Sequence, residues 1–275
     1  MRDAKTVKVA GIHLAGPNSP KTTVVIMTGR WGEGNLKMES VHERLGPLHK
    51  LFSDERVFEL LRREAPDRIM IDSPLTLPPC VACTRPSCPG VIACEDIAVA
   101  YMQKLIATPS GRRRKRPLNP QTQRVWDVEG WFEHPHNVQE PTYSANKAPL
   151  VVRAVTLQRR LNSLPEPLKL LETSIPHVLQ ALSELWQLEA QVAHDYRSFE
   201  GGQERRSFWV SCFKGKGWID PASKVTQLAP LAQSVEVFSA WLAATLAYWH
   251  MTEQVTKPEH EFYDQQGWVY LPKLV

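Results

Sequence analysis

The chain has 275 residues, of which 43% are hydrophobic and 23% charged, with a formal net charge of +4. This length lets a chain bury about three quarters of its unfolded surface, and the composition excludes wholesale disorder and fibrous repeats. The positive charge is local, because residues 111–117 hold five cations and no acid. No apolar run is long enough for a membrane span, and the first residues lack a signal-peptide stretch, so we expect a cytoplasmic protein.

The first part of the sequence predicts an α/β arrangement. The predicted strands are residues 7–14, 21–29, 35–45 and 67–73. Between the last two, residues 54–65 place apolar side chains at helical spacing, and Pro66 ends that helix. Three strands, a helix and a further strand indicate antiparallel strands followed by a parallel crossover.

The rest of the chain is more varied. Residues 76–96 are cysteine-rich and irregular, and residues 108–150 form a basic insertion rich in Pro, Asn, Gln and Arg. Residues 200–217 combine cations with aromatic side chains and receive no assignment. The remaining predicted helices are 95–107, 148–162, 176–197 and 234–252, and the remaining predicted strands are 168–175 and 267–272. We expect a single domain over residues 1–275.

Two acids stand at the ends of predicted strands. Asp72 follows the apolar run 69–71, and Glu172 has the equivalent place in the strand 168–175. In an open α/β sheet such groups line the ligand crevice, and two carboxylates there can hold a divalent cation that polarises a phosphate. The alternative is that Asp72 caps its turn and Glu172 pairs with an arginine.

Six motifs give the chain a family resemblance. They are GIHLAGPNSP (11–20), IDSPLTLP (71–78), RAVTLQRRL (153–161), ETSIP (172–176), SAWLAATLA (239–247) and QGWVYLP (266–272). In this order they resemble the family named domain of unknown function 429, whose members are described as predicted nucleases. The resemblance implies an RNase-H-like fold, in which a mixed five-stranded sheet is flanked by helices. It implies catalytic positions at His13, Asp72 and Glu172, with Ser239 where a further acid is common.

Two of those four positions therefore lack a carboxylate. A neutral imidazole cannot bridge two metal ions as a carboxylate does. His13 could bind Mn²⁺ or Zn²⁺ beside the two acids, whereas Mg²⁺ suits such a site poorly, or it could act as general base. The alternative is that the strand has lost its catalytic acid and His13 only packs.

Four cysteines form the sharpest local pattern: Cys80, Cys83, Cys88 and Cys94. Four soft thiolates on one short loop predict a structural zinc site or a 4Fe-4S cluster, with zinc slightly preferred. Two disulfides or free packed thiols are the alternative.

Basic and aromatic residues predict a nucleic-acid surface, because arginines bind phosphates and aromatic rings stack on bases. The residues are Arg112, Arg113, Arg114, Lys115, Arg116, Arg124, Trp126, Lys147 and Arg153. A solvated basic loop is the alternative.

Three functions remain open. The first is a metal-dependent endo- or exonuclease, a hydrolase acting on DNA or RNA. The second is a catalytically degenerate nucleic-acid-binding relative, in which His13 and Ser239 replace expected acids. The third is an ATPase or kinase relative, which ranks last because the chain lacks a phosphate-binding glycine loop.

Overall fold

The computed structural model describes residues 5–16, 19–46, 54–108, 118–128, 141–221, 225–258, 260 and 262–273. The chain divides into two compact units. The first unit comprises Met1–Ser73, Thr156–Lys257 and Val269–Val275, and the second comprises Pro74–Val155 and Pro258–Trp268.

The first unit contains a five-stranded mixed sheet. Its strands are β1 (Thr6–His13), β2 (Thr23–Arg30), β3 (Lys37–His42), β4 (Arg68–Ile71) and β5 (Leu170–Glu172). The spatial order is β3-β2-β1-β4-β5, with β1–β2 and β2–β3 antiparallel and β1–β4 and β4–β5 parallel. The predicted hairpin and the later parallel crossover are therefore both present.

Helices flank the sheet, so the predicted α/β class with a mixed five-stranded sheet is confirmed. The described helices are α1 (Glu55–Glu64), α2 (Pro79–Ala82), α3 (Ile97–Ala107), α4 (Ala148–Asn162), α5 (Ile175–Leu185), α6 (Gly202–Gly215), α7 (Val225–Gln233), α8 (Val235–Met251) and α9 (Tyr263–Gln266). Short 3₁₀ turns lie at Val91–Ala93 and Ala190–Ala193.

Helix α8 is buried along almost its whole length and packs against the centre of the sheet. A Cβ atom at Gly11 would lie 1.9 Å from the carbonyl oxygen of Ala240 and 2.2 Å from the amide nitrogen of Ala244. Both atoms belong to backbone, which cannot move aside like a flexible side chain. Only glycine at position 11 therefore permits this approach of helix to strand.

Two predicted elements differ from the observed ones, and one observed helix was not predicted. The helix predicted over 176–197 ends at Leu185, because Gln187 takes a left-handed φ of 54°. The terminal strand predicted over 267–272 is reduced to isolated bridges at Val269 and Pro272. Residues 200–217, which received no assignment from sequence, include helix α6. Its buried face carries the charged residue Arg206 beside aromatic residues, and this charge interrupts the helical spacing of apolar residues in the sequence.

In the second unit a buried arginine joins several segments. Arg124 Nε donates to Thr142 Oγ1 at 3.0 Å, and Nη1 donates to Thr76 Oγ1 at 3.1 Å. Its Nη2 donates to Asp127 Oδ1 at 3.2 Å, and both members of this ion pair are less than 5% exposed. The pair is therefore part of the interior of this unit.

No helix within the described residues combines the length and apolar character that crossing a membrane requires.

Candidate functional site

His13 and Asp72 lie side by side at the carboxyl ends of β1 and β4. These strands are parallel with Ile12 opposite Ile71, and the amide of Asp72 donates to the carbonyl of Ile12 at 3.1 Å. His13 Nδ1 is 3.7 Å from Asp72 Oδ2, and the two side chains are 16% and 10% exposed. The parallel pairing thus brings two of the predicted residues together in a largely buried place.

Both carboxylate oxygens of Asp72 have other partners. The amide of Ile175, at the start of α5, donates to Oδ1 at 3.2 Å, and Arg197 Nη2 donates to Oδ2 at 3.1 Å. Burial by itself raises the pKa of Asp72, but His13, Arg197 and the Ile175 amide outweigh it, so the pKa is lower than its ordinary value. Asp72 is therefore an anion at neutral pH, and an arginine compensates its charge.

Two buried hydroxyl groups complete this neighbourhood. Tyr196 is 4% exposed and Ser239, in α8, is fully buried. Burial raises the pKa of Tyr196, and the charge of Asp72 adds to this, while Arg197 and Ser239 act in the opposite direction. Neither hydroxyl has a partner at full hydrogen-bond geometry among the described residues. Arg197 and Ser239 nevertheless lower the pKa of Tyr196 as hydrogen-bonding neighbours, so these buried groups partly satisfy one another.

We call His13, Asp72, Tyr196, Arg197 and Ser239 the carboxyl-end cluster. Its permanent charges are one carboxylate and one guanidinium. Sequence analysis identified His13, Asp72 and the position of Ser239, but missed Tyr196 and Arg197. No periodicity or motif marks that pair, which lies 125 residues along the chain from Asp72.

Glu172 lies on the other face of the sheet. The register places Ile71 opposite Glu172 and Ile12 opposite Ile71, so these three residues share a face. Side chains alternate along a strand, so His13 and Asp72, one residue further on, belong to the opposite face. Glu172 is 4% exposed and has an interaction of its own in the interior. The expected meeting of Asp72 and Glu172 is thus not found.

The described residues contain no group of three or more His, Cys, Asp or Glu side chains placed to hold a metal ion. At the carboxyl-end cluster only His13 and Asp72 come from such a set, and Asp72 already accepts from an arginine. This arrangement does not fit the Mn²⁺ or Zn²⁺ that His13 and two acids could bind, and it suits Mg²⁺ no better. Divalent-metal hydrolysis with two ions requires a carboxylate free to bridge them.

The predicted metal loop presents free thiols. Cys80 lies in α2, Cys94 follows a 3₁₀ turn, and Cys83 and Cys88 are exposed. All five cysteines of the chain are unbonded, so the disulfide alternative is not observed. Burial raises the pKa of the Cys80 thiol, and the other three thiols of the loop raise it further. The other thiols therefore disfavour the thiolate form of Cys80, although no three of them are placed among the described residues to hold one metal ion. As a donor set they suit zinc.

The loop is connected to the rest of the second unit at both ends. The amide of Cys80 donates to the carbonyl of Pro120 at 3.1 Å. Beyond Cys94, Asp96 accepts from two amides at the start of α3 and so caps that helix. Arg85 reaches Cys94 Sγ at 3.8 Å. These contacts hold both ends of the loop in place.

The predicted nucleic-acid-binding residues fall into three groups. Residues 112–116, which are Arg112, Arg113, Arg114, Lys115 and Arg116, lie outside the described residues. Lys147 is partly exposed. The structure places the other three inside, since Arg124 is 1%, Trp126 5% and Arg153 7% exposed. A buried side chain cannot contact a nucleic acid without local opening, so these three are structural in the observed fold.

Comparisons of the chain with protein-family models, with curated proteins and with solved structures found no match.

Proposed function

We propose that this chain is a nuclease-like protein that binds DNA or RNA and whose Asp72 is compensated by an arginine instead of a metal ion. The observation that carries this proposal is the 3.1 Å ion pair between Arg197 and Asp72 at the carboxyl end of β4. The proposed function is the second of the three considered from the sequence, a catalytically degenerate nucleic-acid-binding protein. The resemblance to domain of unknown function 429 remains a prediction.

Charge and geometry support an inactive metal centre. A bridging carboxylate needs both oxygens free for two ions about 3.5–4 Å apart. In Asp72 one oxygen accepts from the Ile175 amide and the other from Arg197. Glu172 faces away, and the hydroxyl of Ser239 carries no charge. The guanidinium of Arg197 supplies the positive charge that stabilises this buried carboxylate.

Nucleic-acid binding is supported by the sequence of the basic insertion. Five consecutive cations at 112–116 can neutralise several phosphates and release their counterions. The opening order of three strands, a helix and a parallel strand is also what an RNase-H-like fold requires. Together these features favour a polyanionic partner.

The test is fluorescence anisotropy with labelled single-stranded DNA and RNA over a salt series. The variant Arg112→Ala/Arg113→Ala/Arg114→Ala should reduce the log–log salt slope by about two. A matched control removes three exposed cations elsewhere: Arg30, Lys37 and Arg62. The control should bind as the wild type does. Binding that is undetectable, or equal loss in both triple variants, would contradict the proposal.

A metal-dependent nuclease is the second candidate, favoured by the adjacency of His13 and Asp72. Arg197 is 51% exposed, so it can in principle leave and admit an ion. Incubation of DNA, RNA and hybrid duplexes with Mn²⁺ or Mg²⁺ decides between the candidates. We expect no metal-dependent cleavage. Cleavage that is lost in Asp72→Asn but kept in the exposed control Glu33→Gln would establish the second candidate instead.

A structural zinc ion at the four-cysteine loop is part of the proposal. Metal analysis of the purified protein should find one zinc per chain. Cys83→Ser/Cys88→Ser should lose it, whereas Cys212→Ser should retain it. Iron with broad visible absorbance would identify a 4Fe-4S cluster, and no bound metal would refute the site.

Free thiols are typical of a reducing compartment, which supports the cytoplasm as location.

A further inference from the structure

Positive charge collects at the amino ends of β4 and β5, at the opposite end of these strands from Asp72. Arg68 is the first residue of β4, and Lys169 directly precedes β5. The strands are parallel with Ile69 opposite Leu170, and the amide of Ile69 donates to the carbonyl of Lys169 at 3.2 Å. Arg68 and Lys169 are therefore neighbours across the ladder. Like charges in such positions repel each other.

The end of α8 adds a third group on the same face. Arg68 shares its face with Met70, which belongs to the core around α8. His250, in the last turn of α8, packs its ring against the edge of Tyr270 with centroids 4.8 Å apart. We call Arg68, Lys169 and His250 the amino-end cluster.

Two members of this cluster have buried polar atoms without partners, whereas Lys169 is exposed. Arg68 Nε and His250 Nδ1 are both shielded from solvent, and neither makes a hydrogen bond within the described residues. Among the described residues, neither Arg68 nor Lys169 forms an ion pair. Lys257, close by, is mostly exposed and pairs with Glu253 at 3.5 Å. A partly buried guanidinium without an acceptor is unfavourable unless an anion binds it.

The electrostatics agree with this geometry. Burial lowers the pKa of His250 to about 4, and the positive charges of Arg68, Lys169 and Lys257 contribute in the same direction. These three cations act on the imidazole, Tyr270 packs against it, and the acid Asp67 acts on the neighbouring Arg68. The ring is therefore neutral at pH 7 and can donate one N–H to a ligand. A bound anion would relieve the repulsion among the cations.

We propose that Arg68, Lys169 and His250 bind one phosphate-type oxyanion at the amino ends of β4 and β5. The guanidinium offers a planar pair of donors, the ammonium a point charge, and the imidazole an additional N–H. Two fixed cations match the charge of a phosphate monoester or inorganic phosphate, and they also suit the backbone of a nucleic acid. The site shares no residue with the carboxyl-end cluster, so it goes beyond the proposed function.

The test is isothermal titration calorimetry of the whole chain with inorganic phosphate at constant ionic strength. We expect one saturable site in the wild type. Loss of one charge-assisted contact should weaken binding about tenfold in Arg68→Met and in Lys169→Met. The control Arg30→Met removes an arginine that is 67% exposed at the end of β2 and should bind as the wild type does.

A second measurement covers the case in which Arg68→Met does not fold. In proton NMR, phosphate should raise the pKa of His250 from about 4 toward its ordinary value in the wild type and much less in Lys169→Met. No saturable uptake by the wild type, or equal affinity in Lys169→Met, overturns the proposal. A single-stranded oligonucleotide that competes with phosphate identifies a nucleic-acid backbone as the source, and independent binding identifies free phosphate or a monoester. The phosphate titration stands whether or not the chain binds nucleic acid.

Discussion

Substitution of Arg197 by methionine tests the idea that this arginine compensates Asp72. Methionine retains most of the length and apolar stem of the side chain and removes only the charge and its donors. The carboxylate would then keep the contact with His13 and the amide of Ile175, but lose the guanidinium that donates to it at 3.1 Å. The folded protein would hold a nearly buried anion with reduced compensation.

The expected size of the effect follows from the exposure of the pair. Exposed ion pairs contribute about 0–1 kcal/mol, whereas removing one partner of a buried pair costs about 3–5 kcal/mol. Asp72 is 10% and Arg197 51% exposed, which places this pair between the two classes. We expect Arg197→Met to lower the free energy of unfolding by about 2 kcal/mol, or the Tm by about 4 °C for a chain of this size.

The effect should depend on pH in a defined direction. The folded pKa of Asp72 is lower than the ordinary 3.8, so its stabilising contribution is full above that value and is lost as the pH falls through the folded pKa. The difference between wild type and variant should therefore be complete at pH 7 and shrink below about pH 4.

Urea denaturation of a double-mutant cycle measures the pair itself. In the background of Asp72→Asn, which keeps an acceptor for the Ile175 amide, Arg197→Met should cost at least 1 kcal/mol less, to within the roughly 0.5 kcal/mol accuracy of such cycles. Additive effects of the two substitutions, or a pH-independent loss in Arg197→Met, would show that Arg197 does not compensate Asp72.

Three further predictions concern the interior. Gly11→Ala should lower the free energy of unfolding by about 3 kcal/mol or more, because the new Cβ meets the backbone of α8. The control Gly16→Ala, whose Cβ would have no atom within 4 Å, should leave it nearly unchanged. Equal urea midpoints of the two variants would refute this prediction. Arg124→Met should destabilise by about 3–5 kcal/mol, because Asp127 then keeps two backbone amides as partners but no cation for its buried charge. Adding Asp127→Asn, which keeps an acceptor for those amides, should restore part of the loss; a single variant as stable as wild type would contradict the role of the pair. Lowering the pH from 6.5 to about 4 should destabilise the wild type, because His250 takes up a proton in the unfolded state but not in the folded state. The free energy of unfolding of His250→Gln should depend less on pH, and an unchanged dependence would contradict the burial of this imidazole.

The elements that could be predicted have strong local signals. Two β-branched runs around a Gly- and Pro-rich turn predicted the hairpin, and Pro66 marked the end of α1 within two residues. The end of α5 could not be predicted, because Gln187 adopts a left-handed φ that no residue type near it demands. Helix α6 was missed because Arg206 occupies a buried position, where its guanidinium donates to the carbonyl of Ala232 at 2.8 Å.

Tertiary contacts also decided that two of the predicted basic residues are buried. Arg124 and Arg153 have the same formal charge as the arginines at 112–116, and composition alone does not distinguish them. Arg124 is buried because Asp127 and Thr142 provide acceptors for its donors. Its partner Thr142 lies 18 residues further along the chain and becomes a neighbour only in the folded unit.

Local sequence patterns were enough to predict the class of the fold, the order of its strands along the chain and the four thiols in one loop. The place of His13 beside Asp72 was implied only by the family resemblance. The tertiary structure alone decided that Glu172 faces away, since it is the last residue of β5 whereas Asp72 follows the last residue of β4. Side chains alternate between the two faces of a sheet, so an offset of one residue places a side chain on the opposite face. Sequence patterns do not locate the end of a strand to within one residue. The contact between Arg197 and Asp72 could not be predicted either, because the two residues are 125 positions apart in the chain and become neighbours only in the folded protein.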